Sequence, residues 1–321
     1  MPSAARNGFS DVRIWLRSWA PAGSGRVRLG AEIALAMAGV IWGANFVLVK
    51  LALEHTSPLY FLGLRFLVGS LLLAPFSLSR LRRLGGREWL VALGVGVLLF
   101  FGFACQTLGL ETISPGLSGF LTNLYVILVP LMLGVATGRW PSPLVGVGVL
   151  IVVGGLAILS VYGDLGFGWG EIWTLAGTFF WAVHILAVAY ATSRISVIAF
   201  VHLQLTVVAV LSLAFAFIFE RPALFPGWEA TGAVLWTGVL GGPVAYVFMA
   251  LGQRHTPPTL AGVLMSLESV FALLVSIIVG YDSLTLRTIA GFMLVFAGCT
   301  VARMGSEKAP AYIVEPAAPS P

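Results

Sequence analysis

The chain has 321 residues, 59% of them hydrophobic and only 10% charged, with a mean hydropathy of +0.98. Soluble domains carry about 25% charged residues, so a soluble enzyme or signalling module is excluded and a polytopic membrane protein is implied. A net charge of +5 does not point to a nucleic-acid partner, because the cations sort by loop instead of gathering in one patch. Only helices and closed barrels satisfy their backbone in lipid, and the continuous apolar runs lack the two-residue alternation of barrel strands. The expected fold class is therefore an all-α integral membrane protein. Cys105 and Cys299 sit inside apolar runs without CxxC spacing, which argues against a disulfide or a zinc site.

Residues 1–28 contain no clean apolar stretch with a cleavage site and read as an N-terminal tail. Within it Phe9, Val12, Leu16 and Trp19 form one greasy face opposite Arg13 and Arg17, the pattern of a short interfacial helix. Ten spans are then predicted, at about 29–50, 58–78, 88–108, 115–136, 143–161, 170–190, 197–219, 230–252, 258–279 and 286–303. Breakers such as Pro58, Pro115, Pro143, Pro226-Gly227 and Pro257-Pro258 mark most boundaries, and the turns are too short to hold a catalytic domain. Residues 304–321, rich in Pro and Ala, read as a disordered tail. Arginines before the first span, at Arg80 to Arg87, and at Arg139, Arg194, Arg254 and Arg303 alternate with turns holding Glu54, Glu111, Asp164, Glu220, Glu229 and Asp282. By the positive-inside rule both termini are cytoplasmic.

The chain also repeats itself. Glu32, Trp42 and Asn45 reappear as Glu171, Trp181 and His184 at an offset of 139, while Leu108, Pro115 and Gly119 reappear as Leu251, Pro258 and Gly262 at 143. Gly148 and Gly155 match Gly291 and Gly298 at the same 143. Two units follow, 29–161 and 162–303. Each holds five spans, an odd number, so the second must insert upside down relative to the first. Inverted repeats enclose a binding site near the midplane and alternate access by rocking. Glycine pairs such as Gly39 with Gly43 and Gly238 with Gly242 permit close helix packing, and the Gly238 to Pro243 stretch is the most plausible place for a hinge.

Polar groups at membrane depth mark function by default. Trp42 and Asn45 share a helical face that should look inward, and His184 stands at the repeat position of Asn45. Glu268, mid-span, is either a hydrogen-bonded structural post or a cavity group holding a substrate amine or a proton. Arg65 is either a gating or packing ion pair or a clamp for a carboxylate. Ser118, Thr122 and Tyr125 form one stripe of the fourth span. Trp181, Phe103 and Tyr246 add aromatic surface, the last two again 143 apart. His202 reads as a packed core residue. This set suits a small amphipathic solute, not a polyphosphate, which would call for several inward cations. With no GxxxxGK[ST] motif, nucleotide hydrolysis is not expected to drive it. No catalytic residue, metal or cofactor is expected: His55, His184, His202 and His255 lack an acid in the five residues that follow.

The run Trp42-Gly43-x-Asn45-Phe46-x3-Lys50 resembles the opening helix of the drug/metabolite transporter superfamily in its ten-helix EamA-type branch. Pro58 with Arg65-Phe66, the Ser118 to Pro130 stretch and Leu267-Glu268-Ser269-Val270-Phe271-Ala272 agree with it. Within the branch the chain looks most like the YddG-type exporters of aromatic and other neutral amino acids. The resemblance implies a basket of helices around a central cavity, the fifth and tenth set aside as struts. It also implies a secondary transporter exporting small metabolites across a bacterial inner membrane, with a small-molecule substrate, the lipid bilayer and no nucleic acid as partners, acting as a monomer. Family members often carry a glutamate at the ends of the fourth and ninth helices, where this chain has Gly138-Arg139 and Tyr281-Asp282. Two alternatives stay open: a carrier of sugars, nucleotide-linked metabolites or drugs on the same fold, and, more distantly, a membrane-embedded lipid-modifying enzyme.

Overall fold

A computed structural model describes residues 25–138, 140–160, 168–280 and 283–307. Among them there is no strand, and ten helices follow in order: α1 Gly25–Leu53, α2 Pro58–Leu81, α3 Gly86–Thr112, α4 Pro115–Thr137, α5 Pro143–Ser160, α6 Trp169–Thr192, α7 Val197–Phe219, α8 Trp228–His255, α9 Pro258–Val279 and α10 Leu286–Glu307. Nine helices among the described residues are long and apolar enough to cross a bilayer; the shorter one is α5. The predicted tenfold count therefore holds, with three ends displaced by four residues, among them that of α3, which runs on to Thr112 past the predicted 108. Helix α1 starts four residues before the predicted 29, and its first turn carries Arg28, which pairs with Glu32 one turn on at 3.2 Å. Helix α10 runs on to Glu307, past the predicted limit at 303. The greasy face from Phe9 to Trp19, Arg139, Asp164, Tyr281, Asp282 and the segment after Glu307 lie outside the described residues.

Local chemistry sets the remaining ends. Pro58 and Pro115 occupy first helical turns, where a missing N–H costs nothing, and Ser114 Oγ accepts the Leu117 N–H at 3.2 Å. Glu88 and Glu171 reach back to the Gly85 and Gly168 N–H groups, at 2.8 and 3.0 Å. Helices α4 and α9 both close on a glycine in the left-handed region, Gly138 (φ 72°) and Gly280 (φ 91°). Both also break once in the middle, at Leu124 and at Ser266.

The helix pairs expose the duplication in space. Helix α2 packs on α7 and α5 on α10, while α1 lies against α8 and α9 and α6 lies against α3 and α4. Exchanging the two sets of five helices maps this pattern onto itself, which is the property of a two-fold axis between the halves. Individual contacts obey it too. A Cβ on Gly155 would meet Val295 and the Gly291 carbonyl, and one on Gly298 would meet Val152 and the Gly148 carbonyl. Gly109 presses on Gly170 and Thr174 as Gly252 presses on Ala31 and Leu35. Helices α5 and α10 pack chiefly on each other and touch α4 and α9, which sets them to one side of the basket.

The outer surface is apolar, with Leu71, Phe76, Leu90, Val135, Leu150, Ile218 and Ile278 exposed, and Trp140, Trp169 and Trp228 standing at helix ends as an interfacial belt. Polar ties lock the two ends of the bundle. At one end Glu220 of α7 accepts the Leu59 and Tyr60 N–H groups of α2, at 2.8 and 3.0 Å. Lys50 Nζ there caps the carbonyls of Leu110, Glu111 and Ile113, at 2.7, 2.9 and 3.2 Å. At the other end Glu32 pairs with Arg28 (3.2 Å) and with Arg303 of α10 (2.6 Å).

Exposed His55 and Arg194 are repeat mates in the α1–α2 and α6–α7 turns, 139 residues apart. Single cysteines at these two positions will label with a membrane-impermeant maleimide from opposite faces of the bilayer. Labelling from one face would abolish the two-fold arrangement. A second expectation concerns Gly43, where a Cβ would lie 2.5 Å from the Glu268 carbonyl and 2.6 Å from Phe271 Cβ. Gly43→Ala should lower stability by about 1–3 kcal/mol, read as a fall in melting temperature in detergent, while Gly94→Ala, with nothing within 4 Å, should not.

Candidate functional site

Helix α1 supplies one wall of a cavity between the halves because its small residues bring it against α9 and α8. Gly43 touches α9 at the backbone of Glu268, and Asn45 presses its amide onto Gly241 of α8. Between these contacts the half-buried Trp42 donates its indole N–H to the Gly241 carbonyl at 2.9 Å. That carbonyl lies in a distorted stretch of α8. From Thr237 to Val244 the helix is π-helical, with Pro243 inside it and Gly242 at a non-helical φ −85°, ψ −107°. The Ala245 N–H bonds to Leu240 and Gly242, passing over Gly241, whose oxygen then serves the tryptophan. The hinge stretch expected from Gly238 to Pro243 is thus the one irregular piece of α8, and it forms part of the wall.

The cavity holds roughly 710 Å³ of space, its open mouth included, and residues of both halves line it. Trp42, Asn45, Arg65, Phe103, Thr122 and Tyr125 come from the first half, and Trp181, His184 and Glu268 from the second. These are nine of the residues singled out in the sequence. Two others stand off the lining. Tyr246 is completely buried one layer behind, its ring 5.0 Å from Trp42 and 6.2 Å from Phe103. Ser118 is fully buried one turn from Thr122, its hydroxyl without a partner. The stripe from Ser118 to Tyr125 thus reaches the cavity only at Thr122 and Tyr125, on either side of the break at Leu124.

The rings form a continuous layer that respects the two-fold. Trp42 meets Tyr246 at 5.0 Å, and their mates Trp181 and Phe103 meet at 4.7 Å, edge to face. Phe66, noted in the sequence only beside Arg65 as a landmark of the second helix, joins the halves by touching both Phe103 (4.8 Å) and Tyr246 (6.3 Å). Arg65 lies over Phe103, Phe66 and Phe61, its guanidinium carbon 4.6, 4.9 and 5.6 Å from the ring centres. Among the described residues it has no carboxylate partner, and its Nε has no hydrogen bond. The ion-pair alternative for Arg65 is therefore absent from this conformation. Glu268 likewise forms no ion pair there.

Several amides and hydroxyls complete the wall. His184 Nε2 donates to Gln204 Oε1 at 2.7 Å, which leaves Nδ1 as a buried acceptor without a partner. Gln106 Nε2 donates to Thr122 Oγ1 at 3.0 Å. Asn123 and Ser269 bridge α4 to α9 below Glu268: Asn123 Nδ2 donates to Ser269 Oγ at 2.5 Å, and Ser269 Oγ donates to the Gly119 carbonyl at 2.7 Å. Gln106 was invisible to a search for charges and aromatics, its signal being an uncompensated amide inside an apolar run, while Gln204, read with His202 as a packing residue, bonds the cavity residue His184. His202 bonds Ser77 of α2 and lies outside the lining, consistent with its core reading. Unpartnered polar atoms crowd the site: Asn45 Oδ1, Arg65 Nε, Trp181 Nε1, His184 Nδ1, Gln204 Nε2 and the Tyr246 hydroxyl. Buried groups in that state call for water or a solute. The chemistry on offer is recognition: aromatic faces around a small set of directed polar groups.

Trp42→Phe keeps the ring but removes the bond to the irregular stretch of α8. It should cost about 1–3 kcal/mol, the penalty for a buried carbonyl left unsatisfied, measured as a fall in melting temperature that Trp181→Phe, whose indole N–H has no partner, does not reproduce.

Comparison with known proteins agrees with this architecture. The EamA-like transporter family matches the chain twice, over residues 29–161 and 168–304, one match for each half. An uncharacterized transporter of Archaeoglobus fulgidus is 28% identical over 293 residues, covering 91% of this chain and 92% of the relative. The uncharacterized transporter YvbV of Bacillus subtilis is 29% identical, covering 81% and 87%. The uncharacterized inner membrane transporter YedA of Escherichia coli K12 is 26% identical, covering 80% and 86%. A solved crystal structure shares the fold with a TM-score of 0.73 at 21% identity, covering 86% of this chain and 97% of that one. With both halves matched and the helix pairing of a duplicated bundle, the chain belongs to the EamA-like transporter family and is a multi-pass membrane transporter, not an enzyme.

Proposed function

We propose that this transporter exports small amphipathic metabolites, aromatic and other neutral amino acids, by alternating access. One observation carries the reading: a cavity whose wall is contributed by both halves, apolar on most of its surface, with aromatic rings from Trp42, Phe103 and Trp181 and polar groups at Asn45, Arg65, His184 and Glu268. Aromatic rings take an apolar side chain, and the directed polar groups take the two ends of a zwitterion. Arg65 alone among the lining residues is cationic, which is too little positive charge for a nucleotide-linked or polyphosphorylated solute.

Rocking of the halves, residues 29–161 against 162–303, exposes the cavity to one side at a time. The glycine contacts between α1 and α9 allow sliding without opening a void, and the irregular stretch of α8 absorbs the bend. Alternation of Arg-rich and acid-rich turns supports cytoplasmic termini. The outward direction rests on the likeness to amino-acid exporters and on no residue of the wall. The protein works as a monomer, because each chain carries both halves of its own cavity.

Purified protein in liposomes loaded with radiolabelled phenylalanine, tryptophan, leucine or threonine should release at least one of them faster than empty vesicles do. No flux of any neutral amino acid would reject the substrate assignment and leave the carrier fold standing. Flux of a sugar instead would support the alternative carrier.

A further inference from the structure

The two halves carry the same helices but not the same charges, and the difference falls on the cavity. Arg65 of α2 stands 139 residues before Gln204 of α7, the separation of the first residues of those helices, Pro58 and Val197. Tyr125 of α4 stands 143 before Glu268 of α9, as Pro115 stands before Pro258. In each pair of mates, one half keeps an uncharged group where the other has an ionisable one. The cation belongs to the first half and the carboxylate to the second.

The uncharged mate Gln204 is occupied within the protein, since its Oε1 accepts the His184 N–H at 2.7 Å. Arg65 and Glu268 are not. Each is buried, 5% and 7% exposed, each lines the cavity, and neither has a counter-ion among the described residues. Three aromatic rings steady the guanidinium from the side, yet a ring face cannot replace a carboxylate in the plane of the fork. A lone ion at this depth is unfavourable unless the contents of the cavity compensate it. An arginine fork is compensated by a carboxylate, a glutamate by an ammonium.

We infer that Arg65 and Glu268 are the two poles of one substrate site that takes an α-amino-acid zwitterion in a single orientation. The carboxylate lies toward Arg65 on α2, bound by the guanidinium. The ammonium lies toward Glu268 on α9, with the Tyr125 phenol facing it across the cavity. The side chain rests among Trp42, Phe103 and Trp181. Two identical halves would accept such a solute either way round with equal affinity. Divergence at two pairs of mates removes that degeneracy and makes both solute charges a requirement. This inference rests on the amino-acid reading above and adds to it which residues fix polarity, and that singly charged analogues are discriminated against.

Three ligands of one shape test it: L-phenylalanine, phenethylamine, which lacks the carboxylate, and 3-phenylpropionate, which lacks the ammonium. Equilibrium binding to purified wild-type protein should favour phenylalanine at least tenfold over either analogue, a comparison that needs no variant to fold. Arg65→Gln should bring phenylalanine down to the affinity of phenethylamine without weakening phenethylamine itself. Glu268→Gln should do the same relative to 3-phenylpropionate. Wild-type binding of all three ligands within threefold of one another would overturn the inference while leaving an amino-acid carrier in place. So would variants that weaken all three equally, the result expected if Arg65 and Glu268 only neutralise each other. Binding of none of the three, with a sugar bound instead, would overturn the amino-acid reading itself.

Discussion

In hydrocarbon, burial of apolar side chains does little to hold one helix on another, so association depends on close packing and interhelical hydrogen bonds. This chain meets that condition with glycine at the crossings of the two halves. At Gly43 the backbone of α1 meets the Glu268 carbonyl, and at Gly155 and Gly298 the struts α5 and α10 meet backbone to backbone. The cavity follows from the same contacts. Because α1 touches α9 at Gly43 and α8 at Gly241, the faces carrying Trp42, Asn45 and Glu268 turn toward the same space. A methyl group at the first crossing would move a wall of the site as well as a helix.

Polar ties then fix what the glycines allow. The Asn123 and Ser269 bridge joins α4 to α9 directly beneath the site, and the Gln106 bond to Thr122 joins α3 to α4 beside it. Against this ordered floor stands α8, whose Gly-Gly-Pro stretch gives up regular bonding and hands one carbonyl to Trp42. Its mate in the other half, α3, is α-helical throughout. The duplicated bundle is therefore symmetric in its packing and asymmetric in its stiffness.

Much of this was legible in the residues. Hydropathy and breakers placed the ten helices, and the offsets of 139 and 143 identified mates that the structure brings into equivalent contacts. Trp42 and Asn45, three residues apart, do share the inward face. What periodicity could not supply was depth. Ser118 obeys the same helical stripe as Thr122 and Tyr125, yet only the latter two reach the cavity. Tyr246, the mate of a lining residue, is pushed into the second layer, its helix being the one distorted just upstream. Nor did the residues reveal that Arg65 is embraced by Phe61, Phe66 and Phe103, since two of those rings are its neighbours on the helix and the third comes from α3.

The cap that Glu220 places on the start of α2 joins opposite halves, and its repeat counterpart does not exist. The equivalent positions are Leu81, with the backbone of Ile198 and Ala199, and a leucine side chain accepts no hydrogen bond. Parting α2 from α7 at one end thus breaks two charge-assisted bonds, while parting them at the other end breaks none of that kind. Common ancestry of the halves consequently does not make the two ends of the bundle alike: one is tied by a carboxylate on the backbone of α2, the other by the Glu32–Arg303 pair between α1 and α10, and different bonds must break to part the halves at each.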